Sequence, residues 1–223
     1  MLHKSTIEFL KELEINNNRE WFAEHKNLYE EARQDVENFA AEIIPRVSEF
    51  DSGILETDPK KCLFRIYRDV RFSADKSPYK TNFGVIIRPS MLYGKYSGYY
   101  IHISPQLSFL SAGLYMLPKD AVKQVRHFIY DNFDDLRAIL DKNQLKRETG
   151  GMQFDADDML KRMPAGFDSR HPAAEYMRLK HFYMMRTIRE PQLLSEDFPD
   201  VVADTFQKMY PFSRFINEAL DFN

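Results

Sequence analysis

Residues 83–112 read F-G-V-I-I-R-P-S-M-L-Y-G-K-Y-S-G-Y-Y-I-H-I-S-P-Q-L-S-F-L-S-A, and the reading of this stretch decides the fold. Three runs in it are rich in β-branched and aromatic residues: Phe83–Arg88, Gly98–Ser104 and Leu107–Ala112. Pro89-Ser90 with Gly94, and Pro105-Gln106, supply the turns between them. A fourth run, Cys62–Arg68, lies upstream, set off by Ser77-Pro78. The spacings are short and leave no room for a crossover helix, so the runs predict an antiparallel meander. Far downstream, His181 to Ile188 (H-F-Y-M-M-R-T-I) fits a fifth strand or a helix, because its alternation is poor. The expected class is α+β, an antiparallel sheet of four or five strands flanked by N-terminal and C-terminal helices.

The flanks carry helical spacing. Ser5-Thr6-Ile7-Glu8 fits a capping box, followed by Ile7, Leu10 and Leu13 on one face. Asn16-Asn17-Asn18 breaks that helix, and Asn17 with Glu20 is expected to cap the next. Trp21, Leu28, Ala32, Phe39 and Ile43 continue an apolar stripe, which places Trp21 and Phe22 in the core and Arg19 and Glu20 in solvent. Pro45 should end or kink the helix, since its ring removes an amide and crowds the preceding turn. Pro118 suits the first position of a helix lined by Val122, Val125, Ile129, Leu136 and Leu140, with a break at Asp131-Asn132. Asn143 to Gly151 reads as a polar loop, and Asp155 with Asp158 as the cap of a short helix stopping near Pro164. From Pro199 the tail is helical, with Val202, Phe206, Met209, Phe212, Ile216 and Leu220 on one side and a bend at Pro211. The expected organisation is one domain over 1–223, helical over 1–48, sheet over 62–112 and mainly helical over 118–223.

The 223 residues are 43% hydrophobic and 29% charged, enough for a core under an ordinary water-facing surface. No run reaches the roughly 20 apolar residues of a membrane span, and the first residues, M-L-H-K-S-T-I-E, carry charges where a signal peptide needs an apolar centre. These features predict a cytoplasmic protein without a membrane partner. Cys62 is the single cysteine, so no internal disulfide forms, and its apolar neighbours predict a buried, inert thiol.

The net charge is -3, yet Arg65 to Lys80, R-I-Y-R-D-V-R-F-S-A-D-K-S-P-Y-K, reverses it. Arg65, Arg68, Arg71, Lys76 and Lys80 face only Asp69 and Asp75, and Tyr67, Phe72 and Tyr79 are interleaved. Guanidinium groups offer a planar fork of donors suited to phosphate or carboxylate, and lysine adds a mobile point charge. The expected ligand-binding residues are Arg65, Arg68, Arg71, Lys76, Tyr79 and Lys80. Asp69 and Asp75 serve as general base or structural partner. On an extended strand Arg65 and Arg68 point to opposite faces, so convergence must come through the turn.

This motif and Asn17-Asn18-Arg19-Glu20-Trp21-Phe22 resemble the signatures N-N-x-R-E-W-F and R-I-Y-R-D-x-R-F-S-x-D-K-x-P-Y-K of a bacterial domain-of-unknown-function family. Ser97 to Pro105 (S-G-Y-Y-I-H-I-S-P) and His171 to Tyr176 (H-P-A-A-E-Y) are similar to further segments of it. The resemblance covers most of the chain and implies one domain, with no activity attached. It departs at Ser111-Ala112-Gly113-Leu114, where the family pattern suggests a more glycine-rich turn.

The best functional reading is binding of a small anionic ligand, of phosphate or carboxylate type, at the basic strand-turn motif. Three alternatives stand beside it. The motif is an internal salt-bridge network of a structural or interaction protein. The protein is an enzyme on a phosphorylated substrate, with Asp69 or Asp75 as base. Or the motif binds nucleic acid locally, a reading that the tyrosines Tyr93, Tyr96, Tyr99 and Tyr100 suggest through base stacking but that is not favoured, because ordinary sheet packing explains them better. Six scattered histidines (His3, His25, His102, His127, His171, His181) have no metal-ligand spacing, Asp155, Asp157 and Asp158 lack the glycine of a calcium loop, and an anchoring hydrogen bond accounts for Asp168 near His171. No G-x-S-x-G, phosphate-binding glycine loop or Rossmann fingerprint occurs, so neither metal nor cofactor is expected.

Overall fold

The structure is a computed structural model and describes residues 1–89, 96–155 and 158–221. It is α+β, with a four-stranded antiparallel sheet between N-terminal and C-terminal helices. The strands are β1 (Phe83–Ile87), β2 (Gly98–Ile103), β3 (Ser108–Leu114) and β4 (Phe182–Ile188), in the order β1-β2-β3-β4. Two compact units are present. One comprises Met1–Ser90, Tyr100–Leu110 and Thr187–Asp204; the other comprises Met91–Tyr99, Ser111–Arg186 and Thr205–Asn223.

The first unit begins with α1 (Lys4–Ile15), α2 (Arg19–Glu24) and α3 (Lys26–Ser48). Ile7, Leu10 and Leu13 of α1 are buried as their spacing predicts. The Ser5 capping box does not form, because Ser5 lies inside the helix. Asp35 of α3 takes over instead: its Oδ2 accepts from the His3 amide at 2.9 Å and from the Thr6 hydroxyl at 2.6 Å. A buried carboxylate so satisfied ties α1 to α3. The cap of α2 is Asn18 rather than Asn17, with Oδ1 accepting from the Trp21 amide at 2.8 Å. Phe22 is buried, whereas Trp21 is only half-buried and Leu28 is exposed, because the break at His25 rotates the stripe. Pro45 does not end α3, which runs on to Ser48. Ile43, Ile44 and Val47 are buried on both sides of the proline, and their packing offsets the one lost backbone bond.

Cys62–Arg68 is not a ladder strand. Asp58 accepts from the Lys60 amide and Pro59 starts a turn of helix, α4 (Pro59–Cys62), which takes up Cys62. The chain then runs extended but changes partner, bridging Leu63 to Val85 and then Tyr67 to Tyr79. Cys62 is buried, and burial, with Asp58 nearby, pushes its thiol up to about 11. The first unit closes with α8 (Glu190–Leu193) and the opening turns of α9 (Phe198–Asp221), where Phe198 stacks on Phe39 at 5.2 Å.

In the second unit α5 (Lys119–Asp131) and α6 (Phe133–Leu140) break where Asp131-Asn132 predicts. The polar segment after Asn143 is not a loop but α7 (Asn143–Thr149), which buries Leu145. Its Glu148 binds Arg186 of β4 at 2.9 Å and Lys208 of α9 at 2.6 Å. Residues 156–157 of the short helix expected to stop near Pro164 lie outside the described residues; beyond them Met159 bridges Leu179, and the Leu160 amide reaches the Arg178 carbonyl at 2.7 Å. His181 to Ile188 resolves to the strand β4, so the sheet extends well beyond residue 112. Ser111 to Leu114 belong to β3 rather than to a turn. Gly113, at φ +134°, lies so close to β4 that a Cβ would stand 2.3 Å from the Phe182 carbonyl. The apolar face expected of the tail is buried along α9, which continues through Pro211. Among the described residues no helix is long and apolar enough to cross a membrane.

Candidate functional site

The basic motif folds as an irregular hairpin. Arg68 donates its amide to the Pro78 carbonyl at 2.9 Å, and Lys80 donates its amide to the Ile66 carbonyl at 2.8 Å. Asn17 fixes the returning arm: its Nδ2 donates to the Tyr79 carbonyl at 3.0 Å, and its Oδ1 accepts the Tyr79 amide at 3.1 Å. Residues 69–77 form the loop between the arms. Ile66 is buried, while Phe64, Arg65 and Tyr67 are exposed, because the change of partner disrupts simple alternation.

Carboxylates within the loop engage two of the five cations. Arg68 pairs with Asp75, and donates to the Ser77 carbonyl at 3.1 Å and the Ser73 hydroxyl at 3.4 Å. Asp75 also accepts from the Ser77 amide and hydroxyl, and these bonds, ahead of Arg68, hold its carboxyl down near pKa 2. Arg71 forks onto Asp69 at 2.9 and 2.7 Å, which lowers the Asp69 pKa through the side-chain bond first and the backbone bond second, and the charge of Arg65 lowers it further. Lys76 donates to the Val70 carbonyl at 2.9 Å. Tyr79 is 6% exposed, its ring stacked 3.9 Å from Phe22. Phe72 stands 96% exposed at the tip of this braced loop.

Arg65 and Lys80 are arranged differently. Neither has a hydrogen-bonded carboxylate among the described residues. Burial lowers the Lys80 pKa, and the positive charge of Arg65 lowers it further. The Lys80 ammonium lies 5.5 Å from the centroid of the Phe64 ring. Phe64 in turn meets Tyr100, their centroids 6.1 Å apart.

Tyr100 brings in residues that the charge pattern does not reveal. On β2, Tyr99, Ile101 and Ile103 are buried while Tyr100 and His102 alternate with them and are half-exposed. The Tyr100 Oη and His102 Nδ1 are 3.0 Å apart. Burial pushes the tyrosine up to about 12 and the histidine down to about 4. Both are neutral at pH 7, so a single proton joins the phenol oxygen to Nδ1, given by the phenol in one imidazole tautomer and by Nδ1 in the other. His102 stacks on Phe109 of β3 at 4.6 Å. Gly84 of β1 makes room for this file of rings, since a Cβ there would stand 2.7 Å from the Tyr100 Oη and 2.9 Å from Phe64. The signal in the sequence was the alternation in Y-Y-I-H-I, which sets a tyrosine and a histidine on the same side. Of the other tyrosines, Tyr99 is buried against Phe206, Tyr96 bonds Asp221, and Tyr93, with the Ser90 and Gly94 turn positions, lies outside the described residues.

Other chemistry-bearing groups have local explanations. Asp168 forks onto Arg170, while its backbone carbonyl accepts the His171 amide at 3.1 Å. Asp155 turns onto Asp158 through a backbone bond, and Asp157 lies outside the described residues. Among the described residues no three histidine, cysteine or acidic side chains group to hold a metal. A concavity of about 310 Å³ lies in the second unit, lined by Phe128, Ile139, Pro211, Arg214, Phe215 and Glu218 among others, and its arginine lies 3.5 Å from its glutamate.

No curated protein and no solved structure matches the chain. A family model described as a conserved hypothetical protein does match, over residues 5–215, and so spans the N-terminal helices, the basic hairpin, the sheet and most of α9. The chain belongs to this conserved hypothetical protein family, DUF2461.

Proposed function

We propose that the protein binds a small anion, of phosphate or carboxylate type, between Arg65 and Lys80 on the basic hairpin. The observation that carries this reading is the like-charge pair itself. Two cations repel one another, one of them partly desolvated, and no carboxylate stands hydrogen-bonded to either among the described residues, although the charge of Asp69 also acts on Arg65. An anion between them would offset the repulsion and give Lys80 a counter-charge. Arg68, Arg71 and Lys76 take the supporting part, bracing the loop from which the two arms diverge, and Tyr79 anchors the arm that carries Lys80.

A second reading, an internal ion-pair network, draws on the Arg68–Asp75 and Arg71–Asp69 pairs. It accounts for the loop, reaches Arg65 only through the charge of Asp69, and leaves Lys80 unexplained. An enzymatic base is less well served, because a carboxylate held near pKa 2 accepts protons poorly at neutral pH.

Thermal unfolding in inorganic phosphate and sulfate tests the reading. At a hundredfold excess over Kd, one site stabilises by about 2.7 kcal/mol, or roughly 5–10 °C for a chain of this size. Arg65→Ala and Lys80→Ala are expected to remove that gain and keep the hairpin, since Lys80 contributes to its pairing through the backbone amide and the pairing bonds do not involve the Arg65 side chain. Equal stabilisation of the wild type and both variants would refute the site, and Arg68→Ala would then be the informative variant for the network.

A further inference from the structure

We propose that the anion is aromatic: a planar ring seated on the face made by Phe64, Tyr100 and His102, bearing the phosphate or carboxylate that Arg65 and Lys80 hold. This deepens the anion reading and rests on it. All of the groups concerned lie in one compact unit. The Lys80 ammonium is 5.5 Å from the Phe64 ring, so an anion at Lys80 reaches its covalent neighbour directly onto aromatic surface. From Phe64 the file continues to Tyr100 at 6.1 Å, with the Tyr100 ring 5.9 Å from His102 and His102 stacked on Phe109.

Two details separate this face from ordinary sheet packing. The first is its exposure. The Tyr100 and Phe64 rings settle onto the bare backbone of Gly84, and Phe64 still remains 44% exposed. The second is its polarity. The Tyr100–His102 bond engages Nδ1, which leaves Nε2 without a hydrogen bond to any described residue, beside aromatic surface. A saturated chain would gain nothing from this nitrogen, whereas a ring carrying a nitrogen or oxygen that donates or accepts is suited to it. The two neutral groups keep the ring end uncharged and concentrate charge at Arg65 and Lys80, so the site has one anionic end and one aromatic end. A nucleic-acid strand fits less well, because the remaining cations of the motif are engaged within the loop.

Isothermal titration of the full chain with inorganic phosphate, phenyl phosphate and cyclohexyl phosphate tests this. Phenyl phosphate is expected to bind at least roughly tenfold more tightly than inorganic phosphate, the scale of one aromatic stack, with cyclohexyl phosphate well below it. Phe64→Ala, at a half-exposed position, should bring the ratio of phenyl phosphate to phosphate affinity towards one, and Lys80→Ala should weaken both. Equal affinity for all three phosphates would overturn the aromatic inference and leave the anion site standing. No binding of any would overturn both. A ratio unchanged in Phe64→Ala would place the ring elsewhere and refute the face described.

Discussion

Gly84→Ala is the sharpest perturbation of the site. Its backbone is not in the left-handed region, so the φ/ψ change costs nothing, and alanine in a strand should gain about 0.5–1 kcal/mol over glycine. Against this stands the added methyl, 2.7 Å from the Tyr100 Oη, 2.9 Å from Phe64 Cδ2 and 3.1 Å from Tyr100 Cε2. Phe64 is exposed enough to swing away. Tyr100 is not, because its hydroxyl is bonded to His102 and its ring lies between Phe64 and Phe109. Overpacking of this kind costs about 1–3 kcal/mol, and displacing the hydroxyl forfeits a hydrogen bond worth about 1 kcal/mol. The net expectation is a loss of about 1–3 kcal/mol. Urea unfolding of Gly84→Ala in the wild-type and Tyr100→Phe backgrounds isolates the cause, since removing Oη removes the nearest clash. The cost should fall by about 1 kcal/mol in the phenylalanine background. The same cost in both, or a stabilised Gly84→Ala, would refute the packing argument.

Two further outcomes are expected. The His102 pKa is lowered by burial to about 4, so between the unfolded value near 6.5 and pH 4 the unfolded chain takes up a proton that the folded one refuses. Stability should decline by roughly 1–3 kcal/mol as pH falls through that window, with no contribution above it. His102→Gln should flatten this part of the profile, and an unchanged profile would contradict the burial of the ring. Trp21, half-buried and stacked 4.2 Å from His25, should cost about 1–2 kcal/mol on truncation to alanine rather than the 3–5 of a fully buried tryptophan; its fluorescence emission should fall between buried and free indole.

The consecutive strands from Phe83 to Leu114 were legible because side chains alternate between a core face and a half-open one, and proline-containing turns separate the runs. β4 was only partly legible. Arg186 occupies a position in phase with the buried Phe182, Met184 and Ile188, and becomes acceptable there only through Glu148 and Thr205. The same pairing hid α7, whose sequence N-Q-L-K-R-E-T offers one buried apolar side chain and a glutamate with distant partners. Cys62–Arg68 misled in the opposite sense. Its composition suits a strand, yet Pro59 starts a helix and the extended part divides its pairing between β1 and Tyr79. The charge reversal at the site was visible in the sequence. Sorting Arg65 and Lys80 from Arg68 and Arg71 required the hairpin, because proximity along the chain does not say which cation meets Asp69 or Asp75. Tyr100 and His102 carry no charge at pH 7 and so left no mark on the charge pattern.

The clasp between Asn17 and Tyr79 bears on which substitutions must travel together. Asn17 grips the amide and carbonyl of residue 79, groups that any residue but proline supplies in full. The side chain of residue 79 answers instead to Phe22, stacked on it at an interplanar angle of 14°. Position 17 therefore tolerates any identity at 79 that keeps the backbone in place, while positions 22 and 79 must exchange size for size. In a chimaera of two relatives joined anywhere between these segments, a mismatch at 22 and 79 would be felt at once and one at 17 and 79 would pass unnoticed. The two signatures, more than forty residues apart along the chain, meet twice in space, and only the pair of rings ties the identity of one side chain to that of the other.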